Sequence, residues 1–186
     1  MTVQIARRPF TVTDYARMRE TGILKEDDRV ELIDGEVRLM SPIGPLHAAI
    51  VNRLTALISR HVGDTVILSV QNPIQLHDYS EPQPDLTLLQ LRDDFYAQGH
   101  PRPDDVLLVI EIADTSIEYD RDEKIPRYAE AGIAEAWLID LSSQTIEQYT
   151  QPRHGGYRNK LIVAFDETIT AQALPQLQIV VERIFA

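Results

Sequence analysis

The stretch LLVIEIADTSIEYDRDEK, residues 107–124, determines how the chain is expected to fold. Its apolar beginning belongs to the run 106–113, which is typical of a buried central strand. Glu111 interrupts this run, although a buried carboxylate is costly unless it is protonated, paired or bound to a metal. Because side chains alternate across a strand, Glu111 is expected to share a face with Leu107, Val109 and Ala113.

The segments on either side of this stretch alternate irregularly between helical and strand patterns. Helices are predicted at 10–22 with Thr13 as a cap, at 45–63, and at 119–132, where Pro126 delays the regular helix to about Asp122. Extended segments are predicted at 29–40 (a hairpin turning at Asp34-Gly35), 65–70, 73–76, 85–90, 106–113, 135–140, 145–150 and 160–165, and the segment 177–185 closes the chain. The pattern predicts one α/β domain over residues 1–186, with a mixed central β-sheet flanked by helices.

The composition narrows the classes of function. The chain has 186 residues, no cysteine and a net charge of −11, so disulfides, thiolate metal sites and cysteine nucleophiles are excluded. No run approaches the length of a membrane span, and residues 1–10 lack a signal-peptide pattern, so a cytoplasmic location is the default expectation. The negative charge disfavours nucleic acid unless basic residues gather on one surface.

Asp85 is the first candidate partner for Glu111. It follows Pro84 at the start of an apolar strand, which is also ordinary turn chemistry, and Glu111 could equally meet water or an arginine at its strand's end. If the two strands are neighbours, both carboxylates reach one sheet edge, where a cation between them would let both ionise. Oxygen ligands of this kind suit Mg²⁺ or Mn²⁺.

Lys124 is the second candidate partner. It lies four residues after Asp120, so a solvated ion pair on a helix face is the ordinary explanation. Alternatively, it lies on the first turns after the strand and points back at the carboxylates. An ammonium group there would orient an attacking water and offset charge on phosphate oxygens.

Several segments together resemble the Uma-type family of bacterial proteins, within the restriction-endonuclease-like PD-(D/E)XK superfamily. The resemblance rests on Asp85 after Pro84, on VIEIADTS, YDRDEKIPRYAEAGI and EAWLID, and on ELIDGEVRLMSPIGPLHAAIVNRL at 31–54. It implies a metal-dependent phosphodiesterase core in which Asp85 and Glu111 are metal ligands and Lys124 is the catalytic lysine. The superfamily's usual lysine lies two residues after the glutamate, and here that position is Ala113.

Glu31 and His47 are secondary candidates from the same resemblance. A two-residue turn at 34–35 would place Glu31 opposite Arg38, which favours a cross-strand ion pair. His47 lies at the edge of the apolar seam of its helix, where a half-buried, hydrogen-bonded histidine is the alternative. In the functional interpretation both residues join the site as an extra ligand, a proton shuttle or a phosphate contact.

These observations predict a Mg²⁺-dependent endonuclease that hydrolyses phosphodiester bonds in DNA. Two alternatives remain open: a catalytically idle, nuclease-derived binding or assembly module, and a phosphodiesterase acting on a small nucleotide. The net charge of −11 favours these alternatives. A homodimer is also expected, partly from the resemblance and partly because two active sites suit duplex cleavage.

Overall fold

The computed structural model describes residues 8–25 and 27–186, so the prediction about a signal peptide at residues 1–10 lies largely outside the described residues. The described helices are α1 (Val12–Glu20), α2 (Pro45–Val62), α3 (Ile117–Tyr119), α4 (Ile125–Glu130) and α5 (Glu182–Phe185). The described strands are β1 (Val30–Ile33), β2 (Glu36–Leu39), β3 (Val66–Val70), β4 (Leu86–Gln90), β5 (Val106–Ala113), β6 (Glu135–Asp140), β7 (Thr145–Arg153), β8 (Gly156–Val163), β9 (Thr168–Thr170) and β10 (Gln178–Val180). A 3₁₀ turn, Pro103–Asp105, precedes β5, and a π-helical turn, Asp120–Lys124, joins α3 to α4.

One mixed sheet organises the described chain, with the strand order β3-β4-β5-β6-β7-β8. Its neighbouring strands are antiparallel except for β5 and β6, which run parallel. A parallel pair needs a crossover connection, and the helical segment from α3 to α4 supplies it. The β1–β2 hairpin and the β9–β10 pair form separate two-stranded sheets. The predicted single-domain α/β fold with a mixed central sheet is therefore confirmed.

Apolar side chains cover both faces of this sheet. On one face, α2 and the C-terminal segments pack against β4, β5 and β6 around the fully buried Leu54 and Trp137. On the other face, α4 contributes Ile125 and Tyr128 to a second cluster. A smaller cluster lies between α1 and the hairpin. Since β5 is covered on both faces, Glu111 in this strand has little contact with bulk water, and its side chain is 4% exposed.

An irregularity in the pairing of β5 places Leu107 on a different face of the sheet from the one predicted. The pairing between β4 and β5 shifts at Leu88/Leu89. As a result Leu107 packs with the cluster on the α2 side, whereas Val109 and Ala113 belong to the cluster on the α4 side. The expectation that Leu107 shares a face with Glu111 was wrong because strict alternation fails at such a shift.

The start of α1 differs from its prediction. Thr11, not Thr13, caps this helix: its hydroxyl accepts a hydrogen bond from the Asp14 backbone N–H at 3.1 Å, and the Asp14 carboxylate accepts one from the Thr11 N–H at 3.1 Å. Such a reciprocal capping box satisfies two backbone donors that the helix itself leaves free.

Three other elements also differ from the predictions. The helical segment after β5 begins at Ile117, before Asp122, and the π-helical turn Asp120–Lys124 continues it up to α4, which contains Pro126. Residues 73–76 form no strand and are held by loop-type bonds, such as Ile74 N–H to the carbonyl of Pro82. The short strand β9 was not predicted.

Within residues 8–25 and 27–186, no helix has both the length and the apolar character needed to cross a membrane. The assignment of all 186 residues to the one domain stays a prediction.

Candidate active site

An open cleft of about 520 Å³ lies where the hairpin, the start of α2 and the end of β5 meet. Its lining includes all five residues singled out from the sequence: Glu31, His47, Asp85, Glu111 and Lys124. Each comes from a different part of the chain, namely β1, α2, the residue before β4, β5 and the π-helical turn. The fold therefore brings together residues that are up to 93 positions apart in the sequence.

Asp85 and Glu111 reach the cleft from neighbouring strands. The antiparallel register of β4 and β5, continued by one residue, places Asp85 opposite Glu111. Asp85 Oδ2 accepts a hydrogen bond from the Ile112 backbone N–H at 2.9 Å, and Oδ1 accepts one from the Gln71 amide at 3.1 Å. These bonds fix the orientation of the Asp85 carboxylate. The predicted pairing of the two strands is confirmed, whereas the metal-binding role stays a prediction.

Lys124 lies between two buried carboxylates. Its Nζ is 2.7 Å from Glu111 Oε1 and 3.4 Å from Glu31 Oε2, and its side chain is 4% exposed. The Tyr128 hydroxyl donates a hydrogen bond to the same Glu111 oxygen. The ordinary explanation, a solvated ion pair with Asp120, was wrong, because the lysine side chain is turned inward and Asp120 accepts a hydrogen bond from the Ser116 hydroxyl at 2.6 Å.

The position two residues after Glu111 is occupied by Ala113, which is fully buried at the end of β5. Lys124 brings an ammonium group to Glu111 from the next helical segment. The expectation that Lys124 points back towards Glu111 is confirmed, and its catalytic role stays a prediction.

Glu31 belongs to this buried group rather than to the hairpin surface. It is opposite Arg38 in the β1–β2 register, as expected. However, the predicted ion pair between these residues was wrong, because the guanidinium group of Arg38 extends to the better exposed Glu123, with 2.9 Å between Nη1 and Oε2. Glu31 Oε2 instead accepts a hydrogen bond from the Gln83 backbone N–H at 3.2 Å and pairs with Lys124.

His47 contacts the other carboxylate of the cleft. Its Nε2 lies 3.1 Å from Asp85 Oδ2, and its side chain is 16% exposed. Its Nδ1 is buried and has no hydrogen-bond partner among the described residues. Buried polar atoms are seldom left unpaired in folded proteins. The structure shows the half-buried, hydrogen-bonded histidine of the alternative interpretation. Its Nδ1, however, lacks a hydrogen-bond partner among the described residues.

Burial and neighbouring charges shift the pKa values of Glu111 and Asp85 in opposite directions. Burial raises the pKa of Glu111 to about 8, with Lys124 opposing the rise and Asp120 and Asp85 adding to it. Burial would also raise the pKa of Asp85, but the hydrogen bond and charge of His47 bring it below its usual value. For Lys124, burial favours the neutral amine, yet the surrounding carboxylates raise its pKa well above the usual value. A further cation near Glu111 would favour its ionised form.

The chemistry of these donors fits a divalent metal ion. Asp85 and Glu111 offer hard oxygen ligands in one open cleft. Burial raises the pKa of Glu111, and a divalent cation beside it would lower that pKa again. Among residues 8–25 and 27–186, no group of three or more His, Asp or Glu side chains is placed to hold a metal ion. A Mg²⁺ ion held by these two carboxylates would therefore complete its coordination with water, as this ion commonly does.

Other polar residues of the cleft could not be identified from the sequence pattern. Asp120 and Tyr119 line it from the helical segment, and Arg29 lines it from the hairpin side. Asp120 lies four positions before Lys124, where a surface ion pair was the simpler interpretation. Gln83 contributes its backbone N–H to Glu31, and a backbone donor cannot be predicted from the pattern of side chains.

A mixed sheet with two carboxylates and a lysine gathered at one edge is the arrangement expected of a restriction-endonuclease-like nuclease. The Uma2 family model, described as "Putative restriction endonuclease", matches residues 12–182, and the chain belongs to this family.

The fold is also similar to a solved structure, described as that of "a putative nuclease belonging to DUF820", from Anabaena variabilis ATCC 29413. The two share 16% sequence identity with a TM-score of 0.73, over 95% of this chain and 98% of that one. At this identity the similarity establishes the fold alone. A comparison with curated proteins finds no match.

Proposed function

We propose that the protein is a metal-dependent endonuclease that hydrolyses phosphodiester bonds in nucleic acid, with DNA as its substrate. The observation that supports this proposal is the meeting of Asp85, Glu111 and Lys124 in one open cleft. The family to which the chain belongs supports nuclease chemistry in general.

Asp85 and Glu111 would hold Mg²⁺ or Mn²⁺ in this function. When bound, such an ion polarises a phosphate oxygen and lowers the pKa of a coordinated water. Asp85 is suited to hold it because three hydrogen-bonding neighbours fix its carboxylate. Glu111 is suited because it is buried beside a single ammonium group, that of Lys124.

Lys124 would orient the attacking water or offset the negative charge that develops on the phosphate oxygens. Its ammonium group is held between Glu31 and Glu111, so it needs little rearrangement to act at this position. His47, whose Nε2 lies 3.1 Å from Asp85 Oδ2, would contact the phosphate or carry a proton.

The proposal is tested by measuring cleavage of single-stranded, nicked and duplex DNA with Mg²⁺ or Mn²⁺. Replacing Asp85 by asparagine or Glu111 by glutamine keeps the side-chain shape and removes a ligand charge. Each change is expected to slow cleavage by roughly 10²–10³-fold, the size seen when one electrostatic stabiliser is removed.

The matched control is Glu118→Gln, since Glu118 is exposed and lies outside the cleft lining. This control should cleave DNA at the wild-type rate. Cleavage at the wild-type rate by a folded Glu111→Gln variant would refute the assignment, as would the absence of cleavage by the wild-type protein with either metal.

A catalytically idle module is the second candidate, and one observation favours it. Lys124 and Glu111 form a buried ion pair, with 2.7 Å between Nζ and Oε1, and such pairs also occur as purely structural features. An idle module would bind DNA or a protein partner, and Mg²⁺ would leave its melting temperature unchanged. Binding of Mg²⁺ by the wild-type protein, lost in the Asp85→Asn variant, would exclude this candidate.

The homodimer remains a prediction and is tested by light scattering on the purified protein. A monomer at all accessible concentrations would contradict it. The cytoplasmic location likewise remains a prediction.

A further inference from the structure

The cleft has one apolar side, which the proposed chemistry does not use. We call residues 39–43 the apolar wall, since Leu39, Met40, Pro42 and Ile43 all line the cleft. Leu39 is 88% exposed and Ile43 is 40% exposed. Single exposed apolar residues are common on protein surfaces, but several that adjoin a polar cleft mark a binding surface. The wall therefore offers an apolar contact next to the carboxylates.

The charges around the cleft are poorly suited to a duplex. Five acidic side chains, three arginine or lysine side chains and His47, which pairs with Asp85, occur among its described lining residues. Two of the basic groups, Arg38 and Lys124, already pair with carboxylates. The third, Arg29, has no ion-pair partner among residues 8–25 and 27–186. Tight binding of nucleic acid requires cations that face the phosphates, and a duplex requires more of them because it carries about twice as many phosphates per unit length as a single strand. The chain as a whole has a net charge of −11.

The size of the cleft is also informative. Its volume of about 520 Å³ falls within the ~300–1,000 Å³ of pockets that enclose a group the size of a small molecule. A single nucleotide fits such a space, whereas a base inside a duplex is stacked and paired and cannot lie against a side wall. Proteins that bind single strands obtain much of their affinity from contacts with the faces of unstacked bases.

We infer that the cleft receives an unpaired nucleotide, with its phosphate at Asp85, Glu111 and Lys124 and its base against the apolar wall. The substrate class is therefore single-stranded or locally unpaired nucleic acid rather than regular duplex. This inference rests on the proposed function and specifies its substrate.

Fluorescence anisotropy tests the inference with a labelled DNA single strand and with the blunt duplex of the same sequence, in Ca²⁺ to slow hydrolysis. The wild-type protein should bind the single strand at least about tenfold more tightly than the duplex. The double variant Leu39→Ser/Ile43→Ser removes the exposed wall contacts without opening the core. It should lose roughly tenfold in affinity for the single strand and little for the duplex.

The matched control is Leu161→Ser. Leu161 is 58% exposed on β8 and is not part of the cleft lining, so this variant should bind both DNAs like the wild-type protein. Equal or tighter binding of the duplex would overturn the inference. An unchanged single-strand affinity in the wall variant would also overturn it.

Failure of this inference can be distinguished from failure of the proposed function. Metal-dependent cleavage of duplex DNA without a single-strand preference would retain the nuclease and reject the role of the wall. Absence of any cleavage, together with a wall-dependent single-strand preference, would reject the nuclease and retain the binding site. Absence of both cleavage and single-strand binding would reject both proposals.

Discussion

Glu81 is expected to make the folded protein less stable as the pH rises. Its side chain is buried, with the residue 8% exposed, and burial raises its pKa to about 7, while the charges of Arg19 and Arg102 offset this only in part. The backbone of Glu81 exchanges hydrogen bonds with Leu32, at 2.7 and 3.4 Å. These bonds attach the hairpin that carries Glu31 to the rest of the fold, so the protonation of Glu81 affects the stability of a segment that forms the cleft.

The magnitude follows from the two pKa values. A glutamate has an ordinary pKa of 4.5, and in the folded protein that of Glu81 is about 7. Between these pH values the unfolded chain releases a proton that the folded protein retains. The free energy of unfolding therefore falls by about 1.4 kcal/mol per pH unit in this range. The loss is absent below the unfolded pKa, and it reaches about 3 kcal/mol above the folded pKa.

Urea denaturation of the Glu81→Gln variant and the wild-type protein, from about pH 5 to about pH 8.5, measures this difference. Glutamine has the shape of the protonated glutamate and no charge, so the two proteins should have nearly equal stability at the acidic end. At the alkaline end the variant should be more stable by about 3 kcal/mol.

The control is Glu20→Gln, because Glu20 is exposed at the end of α1. This variant should follow the wild-type stability at every pH. Parallel curves for Glu81→Gln and the wild-type protein would refute the reasoning, since they would mean that burial does not change the protonation of Glu81.

Three further substitutions test the packing and the ion cluster. Lys124→Met leaves two buried carboxylates without their ammonium group and should lower the free energy of unfolding by about 3–5 kcal/mol in urea titrations. A loss near zero would mean that the buried carboxylates do not depend on Lys124. Gly35→Ala places a methyl group 2.3 Å from Pro9 Cβ at a φ of +78°, whereas Gly22→Ala meets no atom within 4 Å at a φ of +75°. Thermal denaturation should show Gly35→Ala to be the more destabilised of the two by over ~1 kcal/mol. Leu54→Ala, at a fully buried position of α2, should cost about 2–5 kcal/mol in urea.

Much of the fold could be predicted because its signals are local. The helical spacing and the terminal proline and glycine of α2 define both its ends, and Asp34-Gly35 defines the hairpin, with φ values of 50° and 78°. The apolar run of β5 identifies the central strand. The errors fall where a non-local or a weak signal decides, such as the shift in pairing opposite Leu107 and the short strand β9.

The members of the site were easier to predict than their partners. Glu111 is conspicuous because it interrupts an apolar strand, and Asp85 because it follows a proline at the start of another. The role of Lys124 was predicted from the family resemblance. Their bonding partners depend on the tertiary structure: Glu31 is opposite Arg38 in the register, yet its charge is neutralised by Lys124 from another segment. Sequence spacing determines which residues face each other within one element, but it does not determine which of several cations lies closest.

Because of the π-helical turn, the geometry of the cleft depends on the number of residues in this turn. In this turn the backbone N–H of Ile125 bonds to the carbonyl of Asp120, so the turn holds one residue more than an α-helical turn. Each residue of an α-helix rotates the chain by about 100°. Deleting Asp122 would remove this extra residue and restore the α-helical bond pattern, which would change the angle between Asp120 and Lys124 around the helix while every residue that lines the cleft kept its identity. The site depends on a residue count as well as on residue types, and insertions or deletions here would be more disruptive than many substitutions.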